Sequence, residues 1–418
     1  MNRRQFLQLT GLSAAGTLLG LHPWTTVSMA QTRSAPSHSP KRLLVIFLRG
    51  AVDGLNVLVP YRESAYYQAR PNIAIPQPGQ PGGALQLDDT FGLHPALEPL
   101  MPLWRQGSLA FLTASGSPDL TRSHFDAQDY METGTPGDKS TSAGWLNRLL
   151  AILPEQDPVE ALSLGASIPR ILQGTMPVAN LPLGRGATRP LPLDQAQTAA
   201  AFNRLYSGQD ELSQTFQEGL AARRTLRSHL LAEQQAERMA ADNGAPTPIN
   251  FPEDAKRLAR LMRQEPKIRL AFTALGGWDT HIDQGGSQGE LADRLGSLGQ
   301  GLAVLAEELG EVYADTTIAV LSEFGRTVRE NGNGGTDHGH GNTLWLLGGG
   351  IRGGQVHGEW PGLERDRLHQ GRDLAITTDF RDAIANVLQH QLQLERSQLS
   401  QVFPGYGFGK MRSLQICR

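Results

Sequence analysis

Arg42-Leu43-Leu44-Val45-Ile46-Phe47-Leu48 is an unbroken apolar run of strand length that stops at Arg49-Gly50-Ala51-Val52-Asp53-Gly54. A strand wetted on one face alternates apolar and polar residues. A continuous run therefore predicts a strand covered on both faces, as in a parallel sheet between helical layers. Similar runs occur at Leu109 to Leu112, Ile268 to Ala274, Thr317 to Leu321 and Thr343 to Leu347, most of them separated by helical patterns. That alternation argues for an α/β fold with a largely parallel central sheet and helices on both faces. From position 291 leucines fall at 291, 295, 298, 302, 305 and 309, alternating steps of four and three. They mark one apolar face of a helix, read as core packing.

The flanking segments read differently. Asn2-Arg3-Arg4-Gln5-Phe6-Leu7-Gln8 precedes a mild apolar stretch from Leu9 to Leu21, and Ser28-Met29-Ala30 supplies the small residues of a cleavage site. The stretch resembles a twin-arginine signal over residues 1–30. A membrane anchor is the weaker reading, because Gly11, Gly16 and Gly20 interrupt a stretch already short of the roughly 20 residues a spanning helix needs. Export to the periplasm or beyond by the twin-arginine translocation machinery is the expectation, and no later run is long and apolar enough to span a bilayer. Residues 31–41 are a Ser- and Pro-rich linker, and 42–418 form a single α/β domain. Within it, about 194–243 turns rich in Ala, Gln, Glu and Arg and lacks proline, the pattern of one or two long inserted helices that cap a site or form an outer layer.

Composition excludes several classes. With 38 Lys and Arg against 41 Asp and Glu, the net charge of −3 rules out nucleic-acid binding by bulk charge. A lone cysteine, Cys417, leaves no intrachain disulfide to staple the chain. The 47 glycines and 26 prolines lie between clear apolar segments, which fits a loop-rich globular protein.

Ligands of a parallel α/β sheet sit beyond the carboxyl ends of the strands. After the first strand comes Asp53; after the third, Gly277-Trp278-Asp279-Thr280-His281; after the fourth, Ser322-Glu323-Phe324-Gly325-Arg326-Thr327 and then Thr336-Asp337-His338-Gly339-His340. Carboxylate and imidazole together suit zinc, manganese or a similar divalent ion, whereas oxygen-only sets suit calcium or magnesium. In extended geometry Asp279 and His281 point to one side and can share an ion, while the adjacent Asp337 and His338 diverge. A lone Asp53 after a strand is more often a cap or turn residue. Eleven of the 28 residues from Asn331 to Gly358 are glycine, which permits close backbone approach around Asp337, His338 and His340. Thr121-Arg122-Ser123-His124-Phe125-Asp126 opens a helix running to about Glu132. There Ser123 is either an N-cap, with Asp126 close to completing a capping box, or a metal-activated nucleophile at a helix N-terminus.

These segments, with Arg49-Gly50-Ala51-Val52-Asp53-Gly54-Leu55-Asn56, Thr377-Thr378-Asp379-Phe380-Arg381 and Phe403-Pro404-Gly405-Tyr406, resemble the bacterial family catalogued as domain of unknown function 1501, from about Arg42 to Gly407. That family is similar to the alkaline phosphatase and sulfatase superfamily, whose sites hold one or two divalent metals beside a Ser, Thr or modified Cys nucleophile. The resemblance implies an alkaline phosphatase-like fold, with zinc foremost and manganese, magnesium or calcium as the other candidates. It implies Asp53, Asp279, His281, Asp337 and His338 as metal ligands, His340 or His357 as a further histidine, Ser123 as nucleophile, and Arg326 as a clamp on a substrate oxygen or a strand-end salt bridge. Superfamily phosphatases space the middle pair as Asp-x-x-x-His, where this chain has Asp279-x-His281 with Asp283 at the wider spacing. The expected function is metal-dependent hydrolysis of a phosphate or sulfate ester of a small molecule or polysaccharide. The alternative is a non-catalytic exported binding protein that keeps the fold and one metal.

Overall fold

The computed structural model describes residues 40–154, 160–165, 167–181, 241–409, 411 and 414–418. The expected signal at 1–30, and nearly all of the linker and of the insertion at 194–243, lie outside those residues.

The strands of the main sheet are β1 Arg42–Leu48, β2 Leu109–Gly116, β3 Ala161–Leu164, β4 Ala179–Leu181, β5 Leu270–Leu275, β6 Thr316–Ser322, β7 Asn342–Gly348, β8 Val356–His357 and β9 Thr378–Asp379, apart from a small three-stranded sheet of residues 58–59, 85–86 and 92–93. They form one sheet in the order β8-β2-β7-β6-β1-β5-β3-β4, with β9 also on β2. β1 lies at its centre, with Val45 in register between Phe272 of β5 and Ala319 of β6, both parallel. All five apolar runs are strands. The expectation of a largely parallel sheet holds with one exception: β7 runs antiparallel to both β2 and β6.

That exception shapes the site. Because β7 turns back, the connection from Ser322 to Asn342 leaves and re-enters the sheet at one rim, the rim where β1, β2 and β5 also end. A parallel crossover would have carried half of those residues to the opposite side.

Helices α1 His124–Thr133, α2 Trp145–Ile152, α3 Phe251–Gln264, α4 Glu290–Leu309, α5 Phe380–Leu392 and α6 Arg396–Val402 cover both faces. Side chains of β1 alternate between two cores. Leu44, Ile46 and Leu48 pack with Leu258 and Met262 of α3 and with the leucine face of α4. Leu43, Val45 and Phe47 pack with Leu146 and Leu149 of α2, Ile384 and Leu388 of α5, and Leu399 of α6. The six leucines of α4 are all fully buried. Their periodicity thus decides which face of the helix meets the sheet. Among the described residues, no helix is long and apolar enough to cross a membrane.

Candidate metal centre

Four side chains from three rim segments converge. His124 opens α1 after β2, Asp279 and His281 follow β5, and His338 lies in the loop between β6 and β7. His338 Nε2 lies 2.9 Å from both His124 Nε2 and His281 Nε2. Asp279 Oδ1 lies 3.1 Å from His281 Nε2, 3.4 Å from His338 Nε2 and 3.6 Å from His124 Nε2. Ligands 2.0–2.1 Å from a tetrahedral ion are about 3.4 Å apart, so the atoms of His124, Asp279 and His338, 2.9–3.6 Å from one another, are spaced as three ligands of such an ion require. His124, Asp279 and His338 form a group whose ligand atoms all lie within 4.8 Å of one another, and His281 adjoins two of its members.

The far side of each ring explains this convergence. His124 Nδ1 is 2.7 Å from Glu323 Oε1, His338 Nδ1 is 2.8 Å from the Arg122 carbonyl, and His281 Nδ1 is 3.3 Å from Asp337 Oδ1. Each of those partners is an acceptor, so each Nδ1 carries the proton and donates it. In the neutral rings that holding an ion requires, every Nε2 therefore offers a lone pair toward the shared centre, where without an ion a proton takes that place. Ring nitrogens and a carboxylate oxygen this close repel unless positive charge, from a proton or a metal ion, lies among them. The donor set, two imidazoles and one carboxylate with a third imidazole beside them, fits a divalent ion of the zinc type.

Electrostatics reinforce that geometry. Burial would raise the Asp279 carboxyl. Hydrogen bonds with His124, His281 and His338, together with the Arg326 charge, instead hold it far below the usual carboxylate range. Burial likewise opposes ionisation of Glu323, yet His124 and Gln128 keep its carboxyl down at about 2. Burial also opposes charge on His124, but Asp279 and Glu323 outweigh it and hold the ring up at about 9 without an ion. Both carboxylates are thus committed as anions around the centre. Glu323 is fully anchored: Oε1 also accepts from the Gly50 amide and Gln128 Nε2, and Oε2 from the Ser322 hydroxyl.

The remaining expected site residues have other tasks. Asp53 is fully buried and does not reach the centre. It forms a two-pronged ion pair with Arg70, at 2.6 and 3.0 Å, and accepts from Gln284 Nε2 at 2.7 Å. Gln284 Oε1 in turn accepts from Thr280 at 2.8 Å and Thr336 at 2.9 Å, the neighbours of the ligand segments. Asp53 therefore braces the two ligand loops through Gln284, with both of its oxygens engaged by Arg70. Asp337 stands behind His281 as its orienting partner. Arg326 is buried, with Nε on the Ala51 carbonyl and Nη atoms on the Gly50, Trp278 and Thr336 carbonyls and on Asp279 Oδ1 at 2.6 Å. Its guanidinium is spent on tying three loops together, so it is an anchor of Asp279 and presents no face to a substrate. His340 packs on His369, ring centres 4.4 Å apart, and its burial holds it down at about 4. His357 bonds the Arg352 carbonyl at the sheet edge.

Ser123 is the N-cap of α1, as the capping pattern anticipated. Its hydroxyl accepts from the Asp126 amide at a long 3.5 Å and is exposed. His124, one residue on, was not anticipated. The motif around Ser123 contained it, and a histidine at a strand's carboxyl rim was the available signal. Two glycines permit the close packing. Gly50 has φ +109°, and a Cβ there would sit 2.6 Å from the Asp279 amide. Gly339, between His338 and His340, lies against the Arg326 backbone where a side chain would overlap it.

Fold and site together define an α/β protein with a histidine-rich cluster that could hold a metal ion at the carboxyl rim of its sheet. The chain belongs to the family described as protein of unknown function (DUF1501), whose model matches residues 40–403. No curated protein matches it. Among solved structures the chain is similar to i-CgsB in complex with a neocarrahexaose, at 10% identity, TM-score 0.40, over 86% of this chain and 74% of that one. It is similar also to an alkaline phosphatase superfamily protein from Vibrio parahaemolyticus, at 10% identity, TM-score 0.37, over 76% and 62%. A third similarity is to the lipoteichoic acid synthase LtaP from Listeria monocytogenes, at 8% identity, TM-score 0.39, over 86% and 73%.

Proposed function

We propose that this protein is an exported, metal-dependent hydrolase of phosphate or sulfate esters. The observation that carries the reading is the convergence of three Nε2 atoms and Asp279 Oδ1 with each Nδ1 already held by an outer acceptor. A bound divalent ion supplies Lewis-acid polarisation of an ester oxygen and acidifies a hydroxyl near it. His124, Asp279 and His338 hold that ion. His281, whose side chain is 34% exposed against 5% for Asp279 and 9% for His124, stands at the mouth where an ester enters. Asp337 orients its ring, so His281 Nε2 presents a fixed basic atom to whatever reaches the centre. Two hydroxyls adjoin a ligand in sequence; Thr280 is bound to Gln284 at 2.8 Å, whereas the weak cap bond of Ser123 leaves it free to turn toward substrate.

The test separates the two histidines. His338→Ala should lose both the ion and turnover of a panel of phosphate monoesters, phosphodiesters and sulfate esters. His281→Ala should keep the ion and lose turnover. Hydrolysis surviving in both would end the proposal. The binding-protein alternative is favoured by Leu120 and Phe125, each 59% exposed beside His124, which offer an apolar platform unusual next to a catalytic centre. Ester hydrolysis by the metal-loaded protein decides against it.

A further inference from the structure

A cleft of about 480 Å³ opens beside the centre, and its lining includes Arg329, Arg365 and Arg372 against a single acidic residue, Glu364. Arg372 joins the cleft to the centre. Its Nη2 donates to the His338 carbonyl, and its Nε pairs with Asp373 at 2.8 Å. Arg329 and Arg365 are different: both are exposed, and among the described residues neither guanidinium has a carboxylate or hydrogen-bonding partner. Elsewhere around the site arginines are committed, as Arg70 is to Asp53, Arg326 to Asp279 and Arg122 to Asp373. Two unpaired guanidinium groups on one concave wall, with a third anchored at a ligand's own backbone, concentrate positive potential where the remainder of a substrate would lie. Planar guanidinium forks match the paired oxygens of sulfate and phosphate. The net charge of the whole chain is negative, so this cleft runs against the average of the surface.

We infer that the Arg329–Arg365–Arg372 cleft binds a second anionic group of the substrate, so that the protein acts on oligoanions carrying repeated sulfate or phosphate groups. The inference rests on the ester-hydrolase reading for what occupies the centre. It is tested by binding alone, which does not depend on turnover. The purified protein is titrated with low-mass dextran sulfate, with inorganic tripolyphosphate and with unsulfated dextran, at two salt concentrations, in the native form and in three variants. The native protein should bind at least one of the two anions, more weakly at high salt, and should ignore neutral dextran. Whichever anion binds identifies the source as sulfated saccharide or polyphosphate, and binding of both assigns recognition to charge alone. The double variant Arg329→Ala/Arg365→Ala should bind at least tenfold more weakly with its metal content unchanged. Glu364→Gln should bind more tightly, a gain that misfolding cannot produce. Arg105→Ala, at the exposed end of the short helix Met101–Arg105 and outside the cleft lining, should bind like the native protein. Failure of the native protein to bind either anion, equal binding of neutral dextran, or an unaltered affinity in the double variant overturns the inference. Metal content, read on the same samples, reports separately on the centre.

Discussion

His338 shows how one residue can satisfy several demands. Its Nδ1 is fixed by the Arg122 carbonyl, its Nε2 meets two other imidazoles and Asp279, and its own carbonyl receives Arg372. Removing it takes away a ligand and loosens two loops, so His338→Ala should abolish metal retention through dialysis. Ser123 makes a sharper test because its two roles predict different losses. As a cap at 3.5 Å its removal should cost about 0.5–1 kcal/mol, at the weak end of the range, read from denaturant unfolding. As a nucleophile its removal should erase turnover with metal content intact. Full activity of Ser123→Ala would leave only the cap. His94 carries the clearest pH signal away from the centre. Burial and a lone pair that accepts from the Ala96 amide hold its ring neutral, down at about 4. The unfolded ring, near 6.5, binds a proton first as pH falls. The His94 contribution is therefore complete above pH 6.5 and is lost as pH drops toward 4. It amounts to a few kcal/mol at most, about 1.4 for each pKa unit. Stability measured by urea unfolding should decline over that window, and His94→Gln should flatten the decline.

At the scale of elements, what was legible in the sequence followed from burial. Unbroken apolar runs such as Arg42–Leu48 and the three-and-four spacing on α4 report which faces are dry, and both survive in the fold. The short strands β3, β4, β8 and β9 were not legible, since two to four residues carry no periodicity. Strand direction was also hidden, because an apolar run reads the same both ways, and so the reversal of β7 had to be seen. The site divides along similar lines. Asp279, His281 and His338 were legible as metal-type residues at strand ends. Residue type alone could not say that Asp53 would meet Arg70, or that Asp337 would stand behind His281, because those roles depend on neighbours brought from up to a few hundred residues away. The buried Arg70–Asp53–Gln284 chain yields a prediction of its own. Asp53→Ala should destabilise the fold by about 3–5 kcal/mol, leaving Arg70 charged and unpaired. Gln284→Leu should strand the Thr280 and Thr336 hydroxyls and weaken metal affinity about 10–100-fold while the fold persists. A calorimetric titration of metal into each variant checks both. If Asp53→Ala keeps native stability and loses only metal, the bracing role is wrong.

For the molecule as a whole, the architecture gathers three rim segments around one point, and the sheet reversal at β7 is what brings the last of them there. A site so dependent on long-range contacts exists only once the domain has folded. That fits the export route expected from Arg3-Arg4 and Ser28-Met29-Ala30, in which the chain crosses the membrane already folded. Changing both arginines to lysine should leave the protein in the cytoplasm with residues 1–30 still attached, and normal export of that variant would contradict the assignment. The centre itself is tested most directly by elemental analysis of the protein purified without chelators, alongside His338→Ala. The account predicts one divalent ion per chain in the native protein and none in the variant; a native protein free of metal, or a variant that holds as much, would contradict it.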